Sequence, residues 1–180
     1  MSALVVGITI NWMFSQEYGL INFIIQSFGG TPLEWSLNSG LATFVIGFAS
    51  VWASIGFNMI IYVGGINNIS PDLYEAASID GANAWKRFWN VTLPQLAPSF
   101  TVVITLMTIT GLRVFDQVIG LTNGGPAGST HTLASDYYIQ TWAYGRYGYG
   151  TALALVLTLL VTVVGIIEVL AGRKKEDSIS

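Results

Sequence analysis

Three stretches of this chain are apolar for long enough to cross a lipid bilayer, at about 40–66, 97–121 and 148–171. Roughly 20 apolar residues at 1.5 Å each cover about 30 Å of hydrocarbon, so each stretch is expected to form one spanning helix. A fourth, Ala3 to Phe14, is equally apolar but only about a dozen residues long, and it carries Asn11. It is too short to span and is read as a partial span (3–14) in preference to a short interfacial helix. A signal-peptide core fits less well, because no basic n-region precedes it and no small-residue cleavage pattern comes before Gln16-Glu17. The expectation is one membrane domain, residues 1–180, forming the back part of a larger one.

Composition supports that class. Hydrophobic residues make up 52% and charged residues 9%, well below the roughly quarter-charged surface of a soluble domain. A net charge of −3 spread over so few groups says little about partners and gives no sign of nucleic-acid binding. The absence of cysteine excludes disulfides and thiolate metal sites, and the single His131 has no HxxxH-type companion. Where the bases sit is more informative. Lys86 and Arg87 lie between the first two spans and Arg173-Lys174-Lys175 follow the last, so both regions are expected in the cytoplasm, with the C-terminus. That alternation puts 16–38 and 122–147 outside. Tyr137, Tyr138, Trp142, Tyr144, Tyr147 and Tyr149 then gather at the outer end of the last span, as headgroup-level anchors would.

The polar loop 67–95 is unusually rich in helix punctuation. Ser70 suits an N-cap, Pro71 the first helical position and Asp72 the positive end of the helix dipole. Ile69 is placed to staple onto Tyr74. The helix should run to about Asp80 and end at Gly81, a residue able to take the left-handed conformation. Asn83 can cap a second short helix carrying Trp85, Phe88 and Trp89 on one face, suited to the membrane interface, with Lys86 and Arg87 pointing away. Pro94 and Pro98 mark the start of the next span. On these residues alone the loop is equally a solvated connector or a docking element, although it is far longer than the usual four to six residues.

The spacing Glu75-Ala76-Ala77, Gly81, then Val91-Thr92-Leu93-Pro94 resembles the EAA motif of the permease subunits of ATP-binding-cassette importers, with Val in place of Ile. Ile69 to Tyr74 and Leu121-Thr122-Asn123-Gly124-Gly125-Pro126 are similar to the binding-protein-dependent carbohydrate permeases of the MalF/UgpA type. The resemblance covers the chain from about Ala3 onward. It implies an all-α polytopic helical bundle of the type I importer kind, with two helices and most of a third missing from the usual six. It also implies the partners: a second, MalG-like permease, two cytoplasmic ATPases and an extracytoplasmic solute-binding protein. ATP and Mg would be used by the ATPases, since the chain has no GxxxxGK[ST] loop and binds no cofactor itself. Leu73, Glu75, Ala76, Ala77, Asp80, Gly81, Leu93 and Pro94 would then couple the permease to its ATPase, with Gly81 stiffening the corner. The reading is a sugar-import permease and not an enzyme. Its alternatives are a non-transporting piece that only docks the ATPase, or an importer of the same fold for a non-sugar solute.

For a substrate path, Ser50, Ser54, Phe57 and Asn58 fall on one helical stripe beside Ala49 and Ala53, a pattern that also serves close helix packing. Similarity to the family favours a path through Ser50, Ser54 and Phe57 on this span and Met107, Gly111 and Val114 on the next. Those last three lack the polar groups of the maltose permeases. Arg113 and Asp116, three apart in the same span, are expected as a paired outer-gate contact near the outer boundary, roughly 28 Å along the helix from Pro94. Glu168 is expected near the inner boundary and solvated. The turn 122–130 is read as a rim facing the solute-binding protein. A membrane-embedded enzyme is disfavoured, since neither an HExxH motif nor an acid pair lies at mid-membrane depth.

Overall fold

A computed structural model describes residues 2–177, with side chains as far as Gly172. All regular structure among these residues is helical. In chain order the helices are α1 (Ala3–Met13), α2 (Leu20–Ser27), α3 (Ser39–Asn67), α4 (Pro71–Ile79), α5 (Ala84–Gln95), α6 (Ala97–Leu112), α7 (Asp116–Leu121), α8 (Leu133–Tyr138), which runs on into a π turn at Ile139–Ala143, and α9 (Tyr147–Asp177). Of these, α3 and the Tyr147–Gly172 part of α9 are long and apolar enough to cross a membrane. A third span results only if α5 and α6, which meet at a 60° bend, are taken together. The Arg173-Lys174-Lys175 side chains, used above to orient the chain, lie outside the described residues.

Residues 97–121 are not one helix. The first part ends at Leu112, where Arg113 and Val114 donate turn-type bonds to Thr110 and Gly111, and α7 starts afresh at Asp116. At 16 residues, about 24 Å, α6 is short of a bilayer by itself. Its bend from α5 falls at Leu96, where Pro98 has no N–H to offer the Pro94 carbonyl and its ring crowds that group. Earlier, within α5, Pro94 has no N–H for the Asn90 carbonyl, and the ladder slips to a π turn over Phe88–Thr92, with Leu93 N–H bonded to Phe88 O.

The chain divides into two compact units. One comprises residues 1–54 and 110–160, and its core gathers Val6, Ile10, Phe14, Trp35, Val45, Ile46, Ala49, Val118 and Leu121. Here α1 lies directly on α7, because Gly7 and Gly120 face each other and leave the backbones room to approach. Phe14 meets Trp35 edge to face at 4.9 Å. Asn22 is 1% exposed and ties the segment after α1 together: its amide donates to Gln16 O (3.2 Å) and Leu33 O (2.9 Å), and its oxygen accepts from Leu33 N–H and Trp35 Nε1–H, both at 3.0 Å.

The other unit comprises residues 55–109 and 161 onward. Tyr62 packs on Phe100 at 5.1 Å, and Gly65 lies against Ser99 and Leu96. Along α9, Gly165 approaches Ile109 and Gly172 approaches Thr101 so closely that a methyl group at Gly172 would overlap the Thr101 side chain.

Candidate functional site

The segment Ser70 to Pro94 lies wholly within the second unit. Ser70 Oγ accepts from Asp72 N–H (3.3 Å), and Pro71 opens α4. At the other end Ala82 N–H reaches Ala77 O (2.9 Å) and Gly81 N–H reaches Ser78 O (3.1 Å), with Gly81 at φ +74°. That is a Schellman end, with Asp80 as the last half-helical residue. Asn83 then caps α5 by accepting from Lys86 N–H (2.9 Å).

Two polar links brace α4 against α5. Tyr74 Oη and Thr92 Oγ1 share a hydrogen bond at 2.9 Å. Arg87 Nη1 donates to Ser78 Oγ (3.1 Å), which in turn donates to Tyr74 O (2.7 Å). Arg87 therefore turns back onto α4, and Lys86 is left exposed. The opposite side of α4 is free: Glu75, Ala76 and Asp80 are exposed, Leu73 is 40% and Ile79 87% exposed, and only Ala77 is half-buried. Leu93 and Pro94 follow the π turn and are half-buried. Trp85, Phe88 and Trp89 form an exposed aromatic cluster with ring centroids 5.6–6.4 Å apart.

The membrane-depth candidates are arranged less simply. Ser50 Oγ donates to Ile46 O (2.8 Å) and Ser54 Oγ to Ser50 O (2.7 Å), so both hydroxyl protons are already used on the helix itself. Phe57 is 58% exposed. Asn58 Nδ2 donates to Met107 Sδ at 3.2 Å, and its Oδ1 is buried without a partner. Gly111 sits in the last turn of α6 with open space around it. Val114 is not on that helix. It packs against the core of the first unit, and its carbonyl accepts from Thr132 Oγ1 at 2.7 Å.

Arg113 and Asp116 do not share a helical face, because the break after Leu112 falls between them. Both are exposed and no ion pair joins them among the described residues. Asp116 instead occupies the first turn of α7. Glu168 also differs from expectation. It is half-buried, and its Oε2 is out of solvent with no hydrogen-bond partner. It borders a cleft of about 710 Å³ that begins at Leu93 and Pro94.

The turn after α7 is held by its own side chains. Thr122 and Thr130 hydroxyls meet at 2.7 Å, Thr130 Oγ1 donates to Gly125 O (2.7 Å), and Thr132 with Ser135 forms a capping box. His131 lies over Gly124 and Gly128, with Nδ1 3.5 Å from Asp136 Oδ1. Neither this lock nor the Asn22 network is announced by the sequence. The only hint is the density of Thr and Gly between 120 and 132, since each contact needs side chains the turn itself brings together.

The family model described as binding-protein-dependent transport system inner membrane component matches residues 1–176. The chain is 39% identical over 168 residues to the trehalose/maltose transport system permease protein MalF of Thermococcus litoralis, covering 92% of this chain and 56% of that protein. It is 35% identical over 179 residues to the arabinooligosaccharides transport system permease protein AraP of Bacillus subtilis, covering 98% and 57%. It thus spans little more than half the length of these curated relatives. Among solved structures, a chain of a bacterial ABC transporter involved in the import of the acidic polysaccharide alginate superposes with a TM-score of 0.86 at 22% identity, covering 97% of this chain and 61% of that one. The fold is accordingly the all-α bundle of an ABC importer permease. By the match along nearly its whole length, this chain belongs to the family of binding-protein-dependent transport system inner membrane components.

Proposed function

We propose that this chain serves as a transmembrane permease subunit of an ATP-driven, binding-protein-dependent sugar importer in the cytoplasmic membrane of a bacterium or archaeon. Its working partners would be a second permease, two ATPases that use ATP and Mg, and an extracytoplasmic solute-binding protein. The observation that carries the reading is α4: a helix capped at both ends, exposed along Glu75, Ala76 and Asp80, and tied to α5 through Tyr74–Thr92 and Ser78–Arg87. A short exposed helix braced in this way transmits a push to the helix that follows it and does not fold away under load. Leu73, Ala77 and Gly81 would complete the seat for the ATPase, and Leu93-Pro94 would pass its movement into α6.

Sugars are favoured by the names of the relatives. The substrate path is proposed to use Phe57 as an apolar platform and the free Asn58 Oδ1 as an acceptor, next to Met107, whose sulfur Asn58 already meets. Ser50 and Ser54 can offer acceptor lone pairs only. The test is uptake of radiolabelled maltose, trehalose and arabinooligosaccharides by the complete transporter in vesicles. ATP-dependent accumulation of one of them with binding protein present supports the function, and accumulation of none of them by a complex that hydrolyses ATP overturns the sugar assignment.

A further inference from the structure

The two sides of α5 carry different chemistry. Arg87 turns back onto Ser78 of α4, and by helical spacing Trp85 and Trp89 lie about 160° around the axis from it. The side turned away from α4 therefore presents the clustered rings of Trp85, Phe88 and Trp89, with the exposed Lys86 at their edge. Charge is divided along the same line. Residues 71–80 hold Asp72, Glu75 and Asp80, all exposed, and no base, whereas residues 84–95 hold Lys86 and Arg87 and no acid. Arg87 is engaged on α4, and no ion pair among the described residues engages Lys86. Lys86 is thus the cation that α5 offers outward.

The 60° bend between α5 and α6 sets how deep this side lies. With α6 near the bilayer normal, the helix from Trp85 to Leu96, roughly 16 Å long, changes depth by only about 8 Å. That matches the depth to which an amphipathic helix sinks into the headgroup boundary, so all three rings stay in the layer where such rings settle. A lysine at the edge of an apolar face keeps its stem among apolar groups and its ammonium at the level of the phosphates. An acidic membrane surface attracts Lys86 and repels the acids of α4, which leaves α4 standing clear of the bilayer.

We propose that α5 is a docking face for anionic phospholipid, with Trp85, Phe88 and Trp89 in the headgroup boundary and Lys86 on the lipid phosphate. Because Tyr74–Thr92 and Ser78–Arg87 tie α4 to α5, the lipid seat also fixes the height of α4 above the membrane. The inference rests on the chain being a membrane permease and is independent of what it transports. It is tested on the complete transporter in nanodiscs of equal parts dioleoyl phosphatidylcholine and dioleoyl phosphatidylglycerol, with the photo-crosslinker p-benzoylphenylalanine in place of Trp85 and, separately, of Trp89. The two lipids have the same acyl chains, so the mass of the captured adduct reports which of them occupies the face and not which reacts faster. Capture should be of lipid, with phosphatidylglycerol over phosphatidylcholine by about fivefold, the effect of one lysine near an anionic surface. Lys86→Gln should equalise the two lipids, and Lys86→Arg should keep the preference. Raising the salt to about 0.5 M should weaken the wild-type preference, which reads the charge without any substitution at Lys86. Equal capture of the two lipids by the wild type, or a preference unchanged by Lys86→Gln or by salt, overturns the proposal. So does capture of an ATPase or the second permease in place of lipid.

Discussion

Gly81 and Gly124 both sit at positive φ, at +74° and +85°, but what surrounds them differs. A Cβ at Gly81 would meet nothing within 4 Å, so substitution there costs backbone strain alone, about 1–2 kcal/mol for an ordinary residue and less for Asn. Gly81→Val is therefore expected to insert and assemble but to lower sugar uptake per ATP hydrolysed, with Gly81→Asn close to wild type. Normal coupling in the Val variant would remove the corner from the mechanism. At Gly124 a Cβ would also run into the His131 ring. Gly124→Ala should lower the melting temperature, and adding His131→Ala should restore only the steric part of the loss, which a thermal melt of the two variants reads directly. Asn22 is the strongest case. Replacing it with Leu orphans the Leu33 and Trp35 N–H groups together, and at 1–3 kcal/mol for each buried donor the expected loss is about 3 kcal/mol, visible as an early change in tryptophan fluorescence on heating.

At the scale of elements, the difference between what the sequence discloses and what it hides follows from range. Ser70, Pro71, Gly81 and Asn83 act on backbone groups two to five residues away, and the caps they suggest are the caps observed. Hydropathy averaged over 97–121 conceals the end of α6 at Leu112, although Arg113, Asp116 and Gln117 interrupt the apolar run just there, and Thr132 draws the Val114 carbonyl from eighteen residues downstream. The Arg113–Asp116 pair fails for that reason. The π turn was signalled only by Pro94, whose missing N–H is as consistent with a simple first-turn proline. Nothing in the sequence identified the brace between α4 and α5, where Tyr74 reads as a staple partner and Arg87 as a solvated base. Its removal is the informative experiment. Tyr74→Phe with Arg87→Ala withdraws both links without touching Glu75, Ala76 or Asp80. Hydrogen exchange over 71–80 should quicken, and uptake should fall several-fold while ATP hydrolysis continues. Unchanged exchange would show that the links do not hold the helix.

At the scale of the whole molecule the open quantity is which face of the membrane α4 occupies. Five of the seven bases, Lys86, Arg87, Arg173, Lys174 and Lys175, fall in the two regions assigned to the cytoplasm, and only Arg113 and Arg146 fall elsewhere. By the positive-inside rule a concentration of bases near span ends predicts that those regions are cytoplasmic. The chain has no cysteine, so a single introduced thiol can be labelled without background. Lys86 and Ser129 are both exposed, the first beside α4 and the second in the turn after α7. With a membrane-impermeant maleimide, Ser129→Cys should react in intact cells, whereas Lys86→Cys and Ser180→Cys should react only in inverted vesicles. An ATPase can press on α4 only from the cytoplasm, so labelling of Lys86→Cys from outside would remove α4 as a lever. It would leave the brace with a purely structural role.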